Sequence, residues 1–175
     1  ASRQKTIAHV AVRYDNLEML DYVLTKEPSL VTKTDDHNST ILQLAVKRGT
    51  LDIVKYLMEE QDANVFGKLL SDRNITDEAV YGAVKYGHQN ILRYFIEGRK
   101  FDVNAPVTGQ VEPLLLFAMR CRNTQIINYL VEEANAKLTV INADKENILF
   151  LAVEQGDLDF IKDVLDRKKE TFFIN

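Results

Sequence analysis

A frame of small and apolar residues recurs along this chain at a spacing of about 34 residues, which restricts the fold more than any other feature. Ala45-Val46-Lys47-Arg48-Gly49-Thr50-Leu51-Asp52-Ile53-Val54-Lys55-Tyr56-Leu57 aligns with Ala83-Val84-Lys85-Tyr86-Gly87-His88-Gln89-Asn90-Ile91-Leu92-Arg93-Tyr94-Phe95. The two match at Ala, Val, Lys, Gly and Tyr, and in apolar character elsewhere. The frame recurs at Ala11, Ala45, Ala83, Ala118 and Ala152, at intervals of 34, 38, 35 and 34 residues. Five such units read as one all-α solenoid over residues 1–175, with repeats at approximately 2–34, 35–68, 69–106, 107–142 and 143–175.

Within each unit the apolar positions keep step with the anchor alanine. The next residue is Val12, Val46, Val84, Met119 or Val153, and doublets such as Ile53-Val54 and Leu57-Met58 follow eight and twelve residues on. A doublet, a step of four and another doublet is one buried helical stripe. A shorter apolar stretch such as Ile41-Leu42 or Ile148-Leu149 precedes the anchor, so each unit reads as a short helix, a tight turn and a second helix. The anchor is small because closely packed helices leave no room for a larger side chain. Four residues after it, Gly49, Gly87 and Gly156 suit the left-handed conformation that closes a helix. The first and fourth units carry Asp15-Asn16 and Arg122-Asn123 instead, and the asparagines are expected to supply that conformation. The third unit is four residues longer than the period. The insertion is expected within Phe66 to Glu78, where Phe66, Leu69 and Leu70 would pack an extra helical turn or a longer finger.

Thr6-Ile7-Ala8-His9-Val10-Ala11 resembles the T-P-L-H-x-A signature of ankyrin repeats, and Thr40-Ile41-Leu42-Gln43-Leu44-Ala45 is a weaker copy. Gly87-His88 with Ile91-Leu92, and Asp52-Ile53-Val54-Lys55-Tyr56-Leu57, resemble the family's second helix, while Phe101-Asp102-Val103-Asn104-Ala105 is similar to its D-V-N-A loop. The resemblance runs from about Lys5 to Asn175, although four units lack the signature proline and only one has the histidine. It implies an ankyrin-type stack of helix-turn-helix repeats, with His9 in a structural hydrogen-bonding role. It also implies that the first helices line a concave face beside projecting finger turns. Tetratricopeptide repeats share the period, but the loops between units are too polar and too long for two continuous helices. Neither end carries an obvious polar capping repeat, so the chain reads either as a segment of a longer protein or as a naturally short array.

Motifs for chemistry are missing. There is no H-E-x-x-H, paired C-x-x-C, G-x-S-x-G or phosphate-cradling glycine loop, and Gly67-Lys68 lacks the upstream glycine of a Walker loop. His9, His37 and His88 are dispersed, and the pairs Asp35-Asp36, Glu59-Glu60 and Glu132-Glu133 lack the oxygen spacing of a calcium site. Cys121 excludes an internal disulfide by being alone, fits a reducing cytoplasmic compartment, and has no base that could be placed beside it. No apolar run approaches the ~18 residues of a membrane span. The chain is therefore read as a non-enzyme without cofactor or metal.

The face that the resemblance assigns to the first helices is the most informative. Two and three residues after each anchor stand Arg13-Tyr14, Lys47-Arg48, Lys85-Tyr86, Arg120-Cys121 and Glu154-Gln155. Five of the first eight are basic and two are tyrosine, in a chain of net charge −4. Arg13, Tyr14, Lys47, Arg48, Lys85, Tyr86 and Arg120 are the candidate partner-binding residues. The finger positions include Asp36, His37, Asp77, Glu112, Asp144 and Glu146 and are largely acidic. The expectation is a basic, tyrosine-bearing groove with acidic fingertips, suited to an acidic protein segment carrying an apolar or aromatic anchor. The alternatives are solvated side chains with no partner, or binding through fingertips or second helices. Acidic fingertips disfavour nucleic acid. The expected function is a protein-recognition module of an intracellular scaffold, or else the cytosolic ankyrin region of a channel or of a microbial effector acting in host cells.

Overall fold

Thr6 opens the first helix with a reciprocal cap, its hydroxyl accepting the His9 amide at 3.5 Å while its own amide donates to His9 Nδ1 at 3.4 Å. Thr40 and Gln43 repeat the arrangement at the next inner helix, at 3.3 and 2.8 Å. The structure, a computed structural model, describes residues 5–59, 73–105 and 112–167. Ten α-helices and no strand occur among the described residues, ordered as helix-turn-helix repeats. The chain falls into two compact units, residues 1–99 and 100–175.

The first unit holds α1 (Ile7–Arg13), α2 (Leu17–Lys26), a 3-10 turn (Pro28–Thr32), α3 (Ile41–Arg48), α4 (Leu51–Glu59), α5 (Arg73–Tyr86) and α6 (Gln89–Arg93), which runs into a π-helical turn at Tyr94–Gly98. The inner helix α1 packs on α3, and α3 on α5. The approach of α3 to α5 is close because Gly82 carries no side chain: a Cβ there would stand 3.0 Å from Val46 Cγ1. The second unit holds α7 (Leu114–Arg120), α8 (Thr124–Glu132), α9 (Ile148–Gln155) and α10 (Leu158–Arg167), with inner helix α7 packed on α9. The anchors Ala11, Ala45, Ala83, Ala118 and Ala152 are all buried, as are Val12, Val46, Val84 and Met119 after four of them. That is the stripe the sequence frame implies.

The turns follow one rule in all five repeats. The residue five places after the anchor donates its amide to the anchor's carbonyl: Asn16 to Ala11, Thr50 to Ala45, His88 to Ala83, Asn123 to Ala118 and Asp157 to Ala152. This bond closes the helix around a left-handed residue. That residue is Gly49, Gly87 or Gly156 in three repeats, and Asp15 (φ 53°) and Arg122 (φ 54°) in the others. The expectation for the asparagines was wrong. Asn16 and Asn123 stand one place later, and their side chains cap the following helix by accepting the amides of Met19 and Ile126.

The insertion in the third repeat lengthens its inner helix. α5 has 14 residues against 7 in α1 and 8 in α3, so positions that are finger turn elsewhere are helical here. Asp77, expected at an exposed fingertip, is buried within α5 for that reason. Phe66, Leu69, Leu70 and the Gly67-Lys68 pair lie outside the described residues.

Candidate partner-binding surface

In the first unit, the ends of α1, α3 and α5 bring up the six residues Arg13, Tyr14, Lys47, Arg48, Lys85 and Tyr86, all exposed. They follow the buried anchor and its apolar neighbour, and the helical step turns them outward. Tyr14 is 76% exposed. The ammonium groups of Lys47 and Lys85 lie 5.9 and 5.8 Å from the Tyr86 ring centroid, a cation–π arrangement that holds two charges around one aromatic face. His88 fixes this corner from below, its Nε2 standing 3.1 Å from the Lys47 carbonyl oxygen.

Between the first two repeats the same face deepens into a pocket of about 470 Å³ with Lys5, Arg13, Lys47 and Arg48 in its walls. Its floor is fixed by His9, which is fully buried. The Thr6 amide donates to His9 Nδ1, so the ring proton sits on Nε2 and is donated to the Ser39 carbonyl at 2.9 Å. The adjoining finger is a tight turn in which Asp35 Oδ1 accepts the amides of His37 and Ser39 at 3.0 and 2.9 Å. Burial pushes the Asp35 carboxyl up, but the two amides that it accepts bring it below its ordinary value. Among the described residues no carboxylate forms an ion pair with Arg13, Lys47, Arg48 or Lys85.

The second unit treats the equivalent cation differently. Arg120 donates from Nε to Glu112 Oε1 at 2.6 Å and from Nη2 to Glu146 Oε2 at 3.0 Å. Glu112, followed by Glu146 and Glu154, holds its guanidinium more firmly protonated than usual. Glu146 is itself steadied by Asn142, whose Nδ2 donates to it at 2.8 Å and whose Oδ1 closes the finger as Asp35 does. Cys121, beside Arg120, is half-buried. No group of three or more His, Cys, Asp or Glu side chains among the described residues could hold a metal ion.

Two frame positions explain the contrast. Glu112 and Glu146 each lie six residues before their anchors, Ala118 and Ala152. The corresponding residues of the first two repeats are Lys5 and Ser39, and both line the pocket beside Arg13. Arg13 thus has a cation and a neutral residue where Arg120 has two carboxylates. The family model for ankyrin repeats (3 copies) matches residues 1–68 and 80–172. The chain belongs to the ankyrin-repeat family. An ankyrin repeat protein of Rickettsia bellii is 31% identical over 117 residues, 65% of this chain and 29% of that protein. The leucine-rich repeat serine/threonine-protein kinase 1 of Caenorhabditis elegans is 26% identical over 86% of the chain, which spans 7% of its length. A chain in the solved complex of a predatory endopeptidase from Bdellovibrio bacteriovorus with an immunity protein has a similar fold, with a TM-score of 0.53 at 17% identity, covering 94% of this chain and 99% of that one. No helix among the described residues is long and apolar enough to cross a membrane.

Proposed function

We propose that this ankyrin chain is a non-catalytic, intracellular protein-recognition module that binds an acidic segment of its partner on the face carrying Arg13, Tyr14, Lys47, Arg48, Lys85 and Tyr86. Ankyrin repeats are generally protein-interaction modules, which supports the coarse reading. The observation that carries the finer one is the set of four cations left without carboxylate partners around Tyr86 and the pocket. A backbone preformed by packed repeats loses little entropy when a partner arrives, and arginine and tyrosine are enriched among residues that dominate interface energies. Arg120, at the equivalent frame position in the second unit, is a weaker candidate, because Glu112 and Glu146 already share its charge. Both curated relatives are several times longer than the segment this chain matches, in keeping with a module that works inside a larger protein.

The test is capture of partners from cell lysate by the wild type beside Arg48→Glu/Lys85→Glu, with the fold of each checked by circular dichroism. A partner held by the wild type and lost by the folded variant supports the reading. Equal capture by both moves the site to the fingers or outer helices.

A further inference from the structure

The pocket between the first two repeats carries more cations than carboxylates in its walls. Where the fourth and fifth repeats place Glu112 and Glu146 against Arg120, the first two place Lys5 and Ser39 beside Arg13. Its walls carry the cations Lys5, Arg13, Lys47 and Arg48 against the carboxylates of Asp35 and Asp36, a formal balance of +2 near neutral pH. Asp35 is occupied in closing its own turn and is held in place by two amides. We propose that this pocket binds a phosphomonoester, the phosphoserine or phosphothreonine side chain of the partner segment; this rests on the acidic-segment reading above and names the group that anchors it.

Charge and shape favour phosphate over a single carboxylate. A phosphomonoester carries about −1.5 to −2 charges at neutral pH, which matches the +2 of the walls, whereas a carboxylate would leave one cation unmatched. Two arginines from successive repeats offer planar forks, and such forks pair with phosphate oxygens two at a time. A volume of about 470 Å³ is roomy for a carboxylate and accepts a tetrahedral group with part of its backbone. The Lys47–Tyr86–Lys85 cluster continues from the rim through Lys47 and would meet the residues flanking the phosphate. A single pocket for one phosphate, with the Asp35 and Asp36 carboxylates in its walls, suits a modified side chain better than the repeating phosphates of a nucleic acid.

The experiment is an NMR titration of the full 175-residue chain with N-acetyl-phosphoserine amide and, separately, N-acetyl-glutamate amide, following backbone and arginine side-chain signals. The expected result is saturable shifts at Arg13 and Arg48, with half-saturation by the phosphoserine probe about tenfold or more below that of the glutamate probe. Ser39→Glu should abolish the response by giving Arg13 an internal partner of the kind Arg120 has. Its side chain is not part of the finger's bonds, which run through the Ser39 backbone, so the fold should survive. Equal half-saturation by the two probes would overturn the phosphate while leaving the acidic-segment reading intact. No saturable shift with phosphoserine would overturn it as well, and capture by wild type against Arg48→Glu/Lys85→Glu would then judge the broader reading separately. Tight binding of vesicles carrying a phosphoinositide, without a response to phosphoserine, would also overturn it, in favour of a lipid surface.

Discussion

A Cβ on Gly49 would stand 2.6 Å from both Cε1 and Nδ1 of His88, so the imidazole of the third repeat occupies the space that a side chain in the second repeat's turn would need. The ring's Nε2 lies at hydrogen-bonding distance from the Lys47 carbonyl, which ties the two turns together next to the candidate binding face. Gly49→Ala therefore carries two penalties. The left-handed φ of 79° is costly for alanine, and the ring must leave its bond. The expected loss is about 2–3 kcal/mol. Gly156 has a similar φ of 71° with nothing within 4 Å of its Cβ position, so Gly156→Ala should lose only the backbone part, about 1 kcal/mol. Urea unfolding of the two variants measures the difference, and equal losses would remove His88 from the account.

Arg122 presents the reverse case. It holds φ 54° without glycine's freedom, at an exposed turn where its side chain is dispensable to the closing bond from Asn123 to Ala118. Arg122→Gly should stabilise the chain by about 0.5–1 kcal/mol, less than the full strain because glycine also gains freedom in the unfolded chain. A rise in the urea midpoint with unchanged slope is the expected signature. A fall would mean that Arg122 makes a contribution beyond its backbone.

These two positions also mark how far the fold could be read from residues. The anchor alanines and the doublets after them are legible because burial selects residue type directly at a helical period. The left-handed residue was misplaced by one position in the first and fourth repeats. Asparagine suits a left-handed turn and a helix cap about equally by type, and only the bond from the Asn16 and Asn123 amides to the anchors decides between them. The candidate face is legible as a run of cations at one frame position. Which of them stay available is not, because that depends on contact with a residue eight places earlier in the chain, as in Arg120 with Glu112, or in the next repeat, as with Glu146. Asp77 looked like a fingertip because the frame has no way to register that α5 begins early and draws it into the core.

Asp35 gives the first finger a dependence on pH. Its folded carboxyl lies below the ordinary value of 3.8, burial being outweighed by the amides of Ser39 and His37. A depressed carboxyl contributes stability that is present above its unfolded value and lost as pH falls through the folded one. The Asp35 contribution to the finger should therefore be full above about pH 3.8 and be lost below it. Asparagine can accept the same two amides, as Asn142 does from Asp144 and Glu146. Asp35→Asn should flatten the acid limb of a stability–pH curve measured by urea unfolding while keeping the turn. An unchanged acid limb would place the titrating group elsewhere.

The pairing of Arg120 sets it apart from Arg13 in a way that substitution can expose. Both lie two residues past an anchor alanine, and both are exposed. Arg120 has Glu112 and Glu146 within 3.0 Å, whereas Arg13 has no ion-pair partner among the described residues. Exposed pairs contribute little to stability, so Arg120→Ala and Arg13→Ala should each shift it by less than about 1 kcal/mol. Partner capture should separate them. A cation already bonded to two carboxylates gains little from a third, so Arg120→Ala should leave capture nearly unchanged. Arg13→Ala removes a charge with no internal substitute and should weaken capture by about tenfold or more, the range of a lost charge-assisted hydrogen bond. If both substitutions weakened capture equally, the residues six places before the anchors would not be what decides which cations meet the partner.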